Sequence, residues 1–348
     1  RNFLLNLQLQ FSFERMSELF THYRVFGDHQ IPEIITQPSS SSQSNGTYVQ
    51  QLLSKLKIEI TKLTHEVIEF DLVGVDPSIA NALRRILLAE VPTVAIEHVW
   101  IAINNSIIQD EVLAHRVGLI PIKVDPKKLD YVVNDEETDR DTIVFHFDVE
   151  CTPEIVKNKF GKDSYKNEDA LSGQLQWLPQ GNQEELFPEG VRPVLDDIVI
   201  AKLRPGQRIE FEAHCRKGVG KDHTKFSPVA TASYRLLPEI NLTEPIVNEK
   251  AVELKKKCPM QVFDIEDLGG VPTAKVARPR DCTMCRECIR TDNWSEKVQL
   301  KRKADHFLFS VESVGILEPA TIVRDAISIL KDKALKFQAE IEEYESSL

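Results

Sequence analysis

Polar and apolar residues alternate along several stretches of this chain and recur every three or four positions along others, and the contrast divides the sequence into elements. From Lys55 to Val73, Ile58, Ile60, Leu63, Val67, Ile68, Phe70 and Leu72 are interleaved with polar residues. That spacing predicts two short strands or one interrupted hairpin. The period then changes. In D-P-S-I-A-N-A-L-R-R-I-L-L-A-E-V-P, Asp76 can accept from free helix N–H groups, Pro77 suits the first helical position and Pro92 forbids continuation. Ile79, Leu83, Ile86 and Leu87 fall on one stripe of that helix, with Arg84 and Arg85 at its sides.

Val94 to Ile103 alternates again as a strand. Asp110 and Glu111 then open a short helix and Arg116 closes it, a charge order that suits the helix dipole. Gly118 is expected in the left-handed position just past its end, with Pro121 stopping any extension. The strand T-I-V-F-H-F-D-V-E-C follows an acidic loop at Asp135, and the chain stays β-rich through Ile209 and Phe211. Near the end, H-F-L-F-S-V-E-S-V-G-I-L alternates from His306. Glu318-Pro319 then opens a helix of about six turns, with Val323, Ala326, Ile327, Leu330, Ala334, Phe337 and Ile341 on one stripe. A helix so long calls for a partner helix, with a core helix of a large domain as the alternative reading.

Composition narrows the functional classes. At roughly 100–200 residues per domain, 348 residues predict two or three domains. A net charge of −11 argues against a basic surface that neutralises phosphates, so no direct sequence-specific nucleic-acid binding is expected. No run approaches the ~18 apolar residues of a membrane span. The tract P-S-S-S-S-Q-S-N-G at Pro38 reads as a flexible linker. No D-x-D-x-D pattern for catalytic magnesium and no G-x-G-x-x-G fingerprint is present, which leaves the chain without an identifiable catalytic apparatus.

One motif carries chemistry of its own. D-C-T-M-C-R-E-C-I-R places Cys282, Cys285 and Cys288 at the spacing of a ferredoxin cluster run, and Cys258-Pro259 is a candidate fourth ligand. A [4Fe–4S] cluster, a zinc ion, or four thiols packed without metal are all compatible with this pattern. Six cysteines without a secretion signal fit a reducing compartment.

The segments A-N-A-L-R-R-I-L-L-A-E-V-P-T-V-A-I from Ala80, N-S-I-I-Q-D-E-V-L-A-H-R-V-G-L-I-P-I from Asn105 and G-K-D-H-T-K-F-S-P-V-A-T-A-S-Y-R-L-L-P from Gly220 resemble the alpha-like subunits of multisubunit RNA polymerases. That family includes the bacterial alpha N-terminal domain and its archaeal counterpart. The likeness covers about residues 55 to 345, and it is strongest to the larger alpha-like branch shared by eukaryotic polymerases I and III. The polymerase II branch has a zinc cysteine cluster soon after G-L-I-P-I, where this chain has only Cys151, and the I/III branch has an N-terminal arm like residues 17–55.

The resemblance implies an α+β fold: a discontinuous alpha-like dimerisation domain of a sheet plus two long helices, an inserted β-rich domain and a small ferredoxin-like lobe. The boundaries expected are 1–54 for an N-terminal arm with the Ser-rich linker, 55–95 for the first part of the dimerisation domain and 96–240 for the insert. The cysteine lobe would take 241–295, and the return strand with the second dimerisation part 296–348. It implies a non-catalytic assembly role in the nucleus, with the small alpha-like subunit, the two large catalytic subunits and small adaptor subunits as partners. Ile79, Leu83, Arg84, Arg85, Ile86, Leu87, Leu330, Ala334 and Phe337 are the candidate partner-binding residues. Some archaeal relatives carry a ferredoxin-like lobe where Cys258 and Cys282–Cys288 stand, so a [4Fe–4S] cluster is the first cofactor expectation and zinc the second.

Overall fold

A computed structural model describes Ile34–Ile35 and residues 54–347, except 135, 158–160, 162 and 292. The expected N-terminal arm and Ser-rich linker lie almost wholly outside the described residues. By internal contacts the chain forms two compact units, one of Leu52–Arg235 with Leu308–Leu348, the other of Leu236–Phe307 grouped with Arg1–Gln51.

The first unit opens with the predicted hairpin, β1 (Lys57–Leu63) antiparallel to β2 (Val67–Val73). Asp76 then caps α1 (Pro77–Ala89), its Oδ1 accepting from the Ser78 N–H at 2.9 Å, and the chain turns at Pro92 into β3 (Pro92–Asn104). The boundary expected at 95/96 therefore falls inside a continuous strand. α2 (Asp110–Gly118) follows. Gly118 departs from expectation: it is the last helical residue and does not adopt positive φ, and the turn closes through the Leu119 N–H on the Arg116 carbonyl at 3.2 Å. A 3₁₀-type bond satisfies the helix end without a left-handed residue.

The inserted region is built on a four-stranded antiparallel sheet in the order β5 (Gln176–Leu178), β4 (Thr142–Glu150), β7 (Arg208–Val219), β3. Alternation along β4 and β7 sends Ile143, Phe145, Phe147, Val149, Ile209, Phe211, Ala213 and Cys215 to one face, where they form a core with Leu113 and Val117 of α2. The rings of Phe147 and Phe211 stack at 4.8 Å. β6 (Val199–Lys202) joins this core through Ile200 and Ala201. Arg116 donates to the carbonyls of Ile200 and Val199 at 2.9 and 2.8 Å, so the A-H-R segment fastens α2 to β6.

A second sheet runs β1, β2, β11 (Val298–Ser313), Ile34–Ile35, with β8 (Val229–Leu242) also paired to β11. β11 begins at Val298, two residues after the expected return point. Phe70 of β2 and Phe309 of β11 stack face to face at 5.0 Å. After Gly315, whose φ of +94° requires a residue without a side chain, α4 (Pro319–Ser347) closes the chain. It has 29 residues, about eight turns, longer than the apolar stripe suggested.

The second unit is the cysteine lobe. A helix, α3 (Glu249–Lys257), and a hairpin of β9 (Phe263–Leu268) with β10 (Val271–Val276) enclose a small core of Ile246, Ala251, Leu254, Val262, Phe263 and Trp294. Cys282 and Cys288 belong to that core. Among the described residues, no helix is long and apolar enough to cross a membrane.

Candidate functional site

α4 leads two lives. Its first turns bury Ile322 and Ala326 completely and pack on α1, whose Ala80, Leu83, Ile86 and Leu87 face the same interior. Lys333 reaches back to Glu90 at the end of α1 at 2.6 Å, and Asp325 accepts from Lys127 at 2.6 Å. From Lys331 to Ser346 every residue is exposed. Along α4, Ile327, Leu330, Ala334, Phe337, Ile341 and Tyr344 recur at steps of three and four, which is a heptad seam. Phe337 and Tyr344 are each 66% exposed. Leaving two aromatic rings in water on one helix face is costly unless something covers them.

The β1 strand presents a second unfinished surface. It is an outer strand of its sheet, and all seven of its residues are exposed, Ile58, Ile60 and Leu63 among them. An open edge lined by isoleucines is a template for another chain.

The predicted partner-binding residues therefore separate into two sets. Leu83, Ile86 and Leu87 are buried in this chain's own core, and Ile79 is half-buried beside them. Arg84 spends its guanidinium on the Asn81 side chain, at 3.1 and 2.9 Å, while Arg85 is exposed. Leu330 is half-buried, and Ala334 and Phe337 are fully outside. Sequence periodicity could not separate these sets, because an apolar stripe looks the same whether its own fold or another chain covers it. It also missed Ile58, Ile60, Leu63 and Tyr344. Their signal lay in strand position: apolar alternation on the outermost strand of a sheet has no internal neighbour.

The segment from Gly220 holds the end of α1 in place. A Cβ on Gly220 would lie 2.3 Å from the Leu88 carbonyl oxygen, so only glycine permits this approach. The Lys221 N–H then donates to the Ala89 carbonyl at 2.8 Å. His223 accepts from the Lys225 N–H at 3.1 Å, and Lys225 donates to the Ile96 carbonyl at 2.8 Å and pairs with Glu97. Thr93 completes the clasp by donating to the Phe226 carbonyl at 2.6 Å. These polar residues position a helix rather than perform chemistry.

The solvent face of the insert sheet is strongly charged. Glu137 accepts from His214 Nδ1 at 2.5 Å and from the Arg216 guanidinium at 2.7 Å, and lies 3.3 Å from His98 Nδ1. Burial works to raise the Glu137 carboxyl, but the hydrogen bonds from His214 and Arg216 outweigh it and hold the group below its ordinary range. Burial likewise opposes the charged His214 ring, yet its bonds to Glu212 and Glu137 prevail and raise it. Nearby, His146, Asp148 and Glu210 bring their ligand atoms within 4.8 Å of one another. Arg208 already occupies that trio, gripping Asp148 at 2.8 and 2.7 Å and Glu210 at 3.0 Å.

In the lobe, Cys258, Cys282, Cys285 and Cys288 line one hollow together with Ile240, Val262, Phe263 and Leu300. Cys285 is exposed and Cys282 and Cys288 are buried. Burial pushes the Cys288 thiol up to about 11, and the other three sulfurs reinforce that shift. The Val262 N–H donates to Cys258 Sγ at 3.4 Å. Gln261, Met284 and Arg286, each close in sequence to one of these cysteines, adopt left-handed φ of 52°, 57° and 63°, a strained choice for such residues. Among the described residues, the trio at His146 alone has three ligand atoms mutually within 4.8 Å.

Comparison with known proteins matches this architecture to two family models. Residues 100–238 match the RNA polymerase Rpb3/RpoA insert domain, and residues 208–334 match the RNA polymerase Rpb3/Rpb11 dimerisation domain. A Bos taurus protein named DNA-directed RNA polymerases I and III subunit RPAC1 is 45% identical, over 91% of this chain and 94% of its own length. The Saccharomyces cerevisiae protein of the same name is 44% identical over 85% of this chain and 90% of its own. The Dictyostelium discoideum DNA-directed RNA polymerase II subunit rpb3 is 33% identical over 85% of this chain and 98% of its own.

Proposed function

This chain belongs to the alpha-like subunits of multisubunit RNA polymerases, and from that membership we propose that it is the assembly subunit common to RNA polymerases I and III. The role is structural, with no catalytic residues of its own. The observation that carries the reading is the exposed apolar seam of α4, with Phe337 66% exposed, together with the exposed apolar residues of β1, an outer strand among the described residues. A chain that invests in the insert core yet leaves a heptad seam bare is half of an interface.

The partner chemistry this seam calls for is an amphipathic helix, and the small alpha-like subunit shared by the two polymerases is the partner we assign to it. The heterodimer then docks the two large catalytic subunits and small adaptor subunits. On this reading the protein acts in the nucleus, in the nucleolus with polymerase I for rRNA and in the nucleoplasm with polymerase III for 5S rRNA and tRNA. Co-purification tests the reading. A tagged full-length chain is expected to recover the small alpha-like subunit in equal amount and both large subunits behind it. Recovery of none of them, together with a well-behaved monomer that gains nothing from added small subunit, would end it.

For the lobe, we propose a [4Fe–4S] cluster held by Cys258, Cys282, Cys285 and Cys288. The cysteine spacing in sequence, the shared hollow and the Val262 N–H aimed at a ligand sulfur support it. Bound there, it would brace a small lobe whose cysteine-bearing loops carry three residues at left-handed φ. Anaerobic purification is expected to give iron and sulfide with broad visible absorbance. Zinc in their place, or neither metal, would overturn the assignment.

A further inference from the structure

Two ion pairs bracket the stretch over which α4 leaves the core. Asp325, whose side chain is 15% exposed, accepts from Lys127 at 2.6 Å. About two turns later Lys333 contacts both carboxylate oxygens of Glu90, at 2.6 and 2.5 Å. Between the two pairs the apolar packing runs out: Ala326 is buried, Ile329 and Leu330 are half-buried, and every residue from Lys331 to Ser346 is exposed. The Lys333 pair thus sits at the exit of the helix, directly before Ala334 of the seam.

Both anchors are fixed by the inserted region, far away in sequence. Lys127 lies in the one-turn segment Pro126–Lys128, where the Asp125 side chain accepts the Lys127 N–H at 3.0 Å. Val124 and Leu129, on either side of that turn, are buried in the insert core. Glu90 ends α1, and the residues around it are held as firmly. The Lys221 N–H donates to the Ala89 carbonyl at 2.8 Å, the Glu90 N–H donates to the Ile86 carbonyl at 3.0 Å, and Val91 is fully buried. Each anchor is therefore a backbone point with little freedom, and each pair transmits its position to α4.

An exposed ion pair contributes little to folding stability. On a projecting helix its leverage is larger: a tilt of about 10° at Lys333 carries Tyr344, roughly 16 Å further along, through about 3 Å. Knobs misplaced by that distance miss the holes of a partner helix. We infer that Lys127 and Lys333 are positioning residues for assembly: through Asp325 and Glu90 they let the inserted region aim the α4 seam at the partner subunit. The inference rests on the reading of α4 as the assembly seam.

Titration of the full-length chain with the small alpha-like subunit tests this. Lys333→Glu sets two carboxylates against each other and is expected to weaken the heterodimer about tenfold, and Lys127→Glu should do the same at Asp325. Unfolding midpoints should stay close to the wild-type value. The double variant Glu90→Lys with Lys333→Glu exchanges the charges and is expected to restore near wild-type affinity. Unchanged affinity in both single variants would overturn the inference. So would a double variant as weak as Lys333→Glu, because the partner itself would then be reading Lys333. A second measurement needs no partner. Distances between spin probes incorporated as unnatural residues at Gln338 and Lys202, both exposed, should spread more widely in Lys333→Glu and narrow again in the double variant. A wild-type chain that ignores the small subunit while these distances respond removes the assigned partner and leaves the positioning intact. Distances indifferent to the substitutions would overturn it.

Discussion

The insert sheet and the β1–β2–β11 sheet use the same alternation of apolar and polar residues and end in opposite states. In the insert, Phe145, Phe147 and Phe211 are fully buried under a layer supplied by α2 and the neighbouring loops, and the other face is paved with charge. In the second sheet, Phe70 and Phe309 stack inside, but β1 leaves Ile58, Ile60 and Leu63 in water, and the helix behind the sheet runs on as a bare seam. One region completes its core from its own sequence. The other leaves apolar side chains exposed, and on the proposed function a second chain covers them.

Four measurements would break or sharpen this contrast. Leu83→Asp should have the largest effect. Leu83 is 6% exposed inside the chain's own core, so a carboxylate there lacks a partner and folded protein should not accumulate. A well-folded Leu83→Asp chain that merely loses its partner would move α1 to the interface side. Phe211→Ala should follow, costing about 3–5 kcal/mol in denaturant unfolding because it empties a site in a closed core. Phe337→Ala should do the reverse: stability within about 0.5 kcal/mol of wild type, but heterodimer affinity at least about tenfold weaker, as for a truncated interface anchor. A fall in stability matching that of Phe211→Ala would mean that the helix face is not bare.

The smallest effect concerns the charged face of the insert. Glu137 is held below its ordinary carboxylate value, so its contribution is present above about pH 4.5 and is lost as pH falls through its folded value. His214 is held above its ordinary value, so its contribution is full below about pH 6.5 and is lost as pH rises through the folded value. The clamp is therefore strongest between those limits. A melting-temperature profile should peak there, and Glu137→Gln should flatten it. A profile unchanged by the substitution would show that the loop is held by other contacts.

Much of this was legible in the residues. Asp76, Pro77 and Pro92 mark both ends of α1, and Glu318-Pro319 marks the start of α4, because capping and proline chemistry act within a few residues of backbone. The four cysteines could be grouped by spacing, and they do share one hollow. Less visible was Gly118, where a 3₁₀-type turn replaced the left-handed cap. So was Glu137, an acidic-loop residue whose three partners come from strands about 40 and 80 positions away.

The sequence by itself determined where helices and strands run, that the family is alpha-like and that two apolar helices need cover, since period, caps and motifs are local properties of the chain. Tertiary structure alone decided which helix covers which. Burial of Leu83, Ile86 and Leu87 and exposure of Ala334 and Phe337 depend on what lies opposite each side chain, and that neighbour comes from distant sequence or from another molecule altogether.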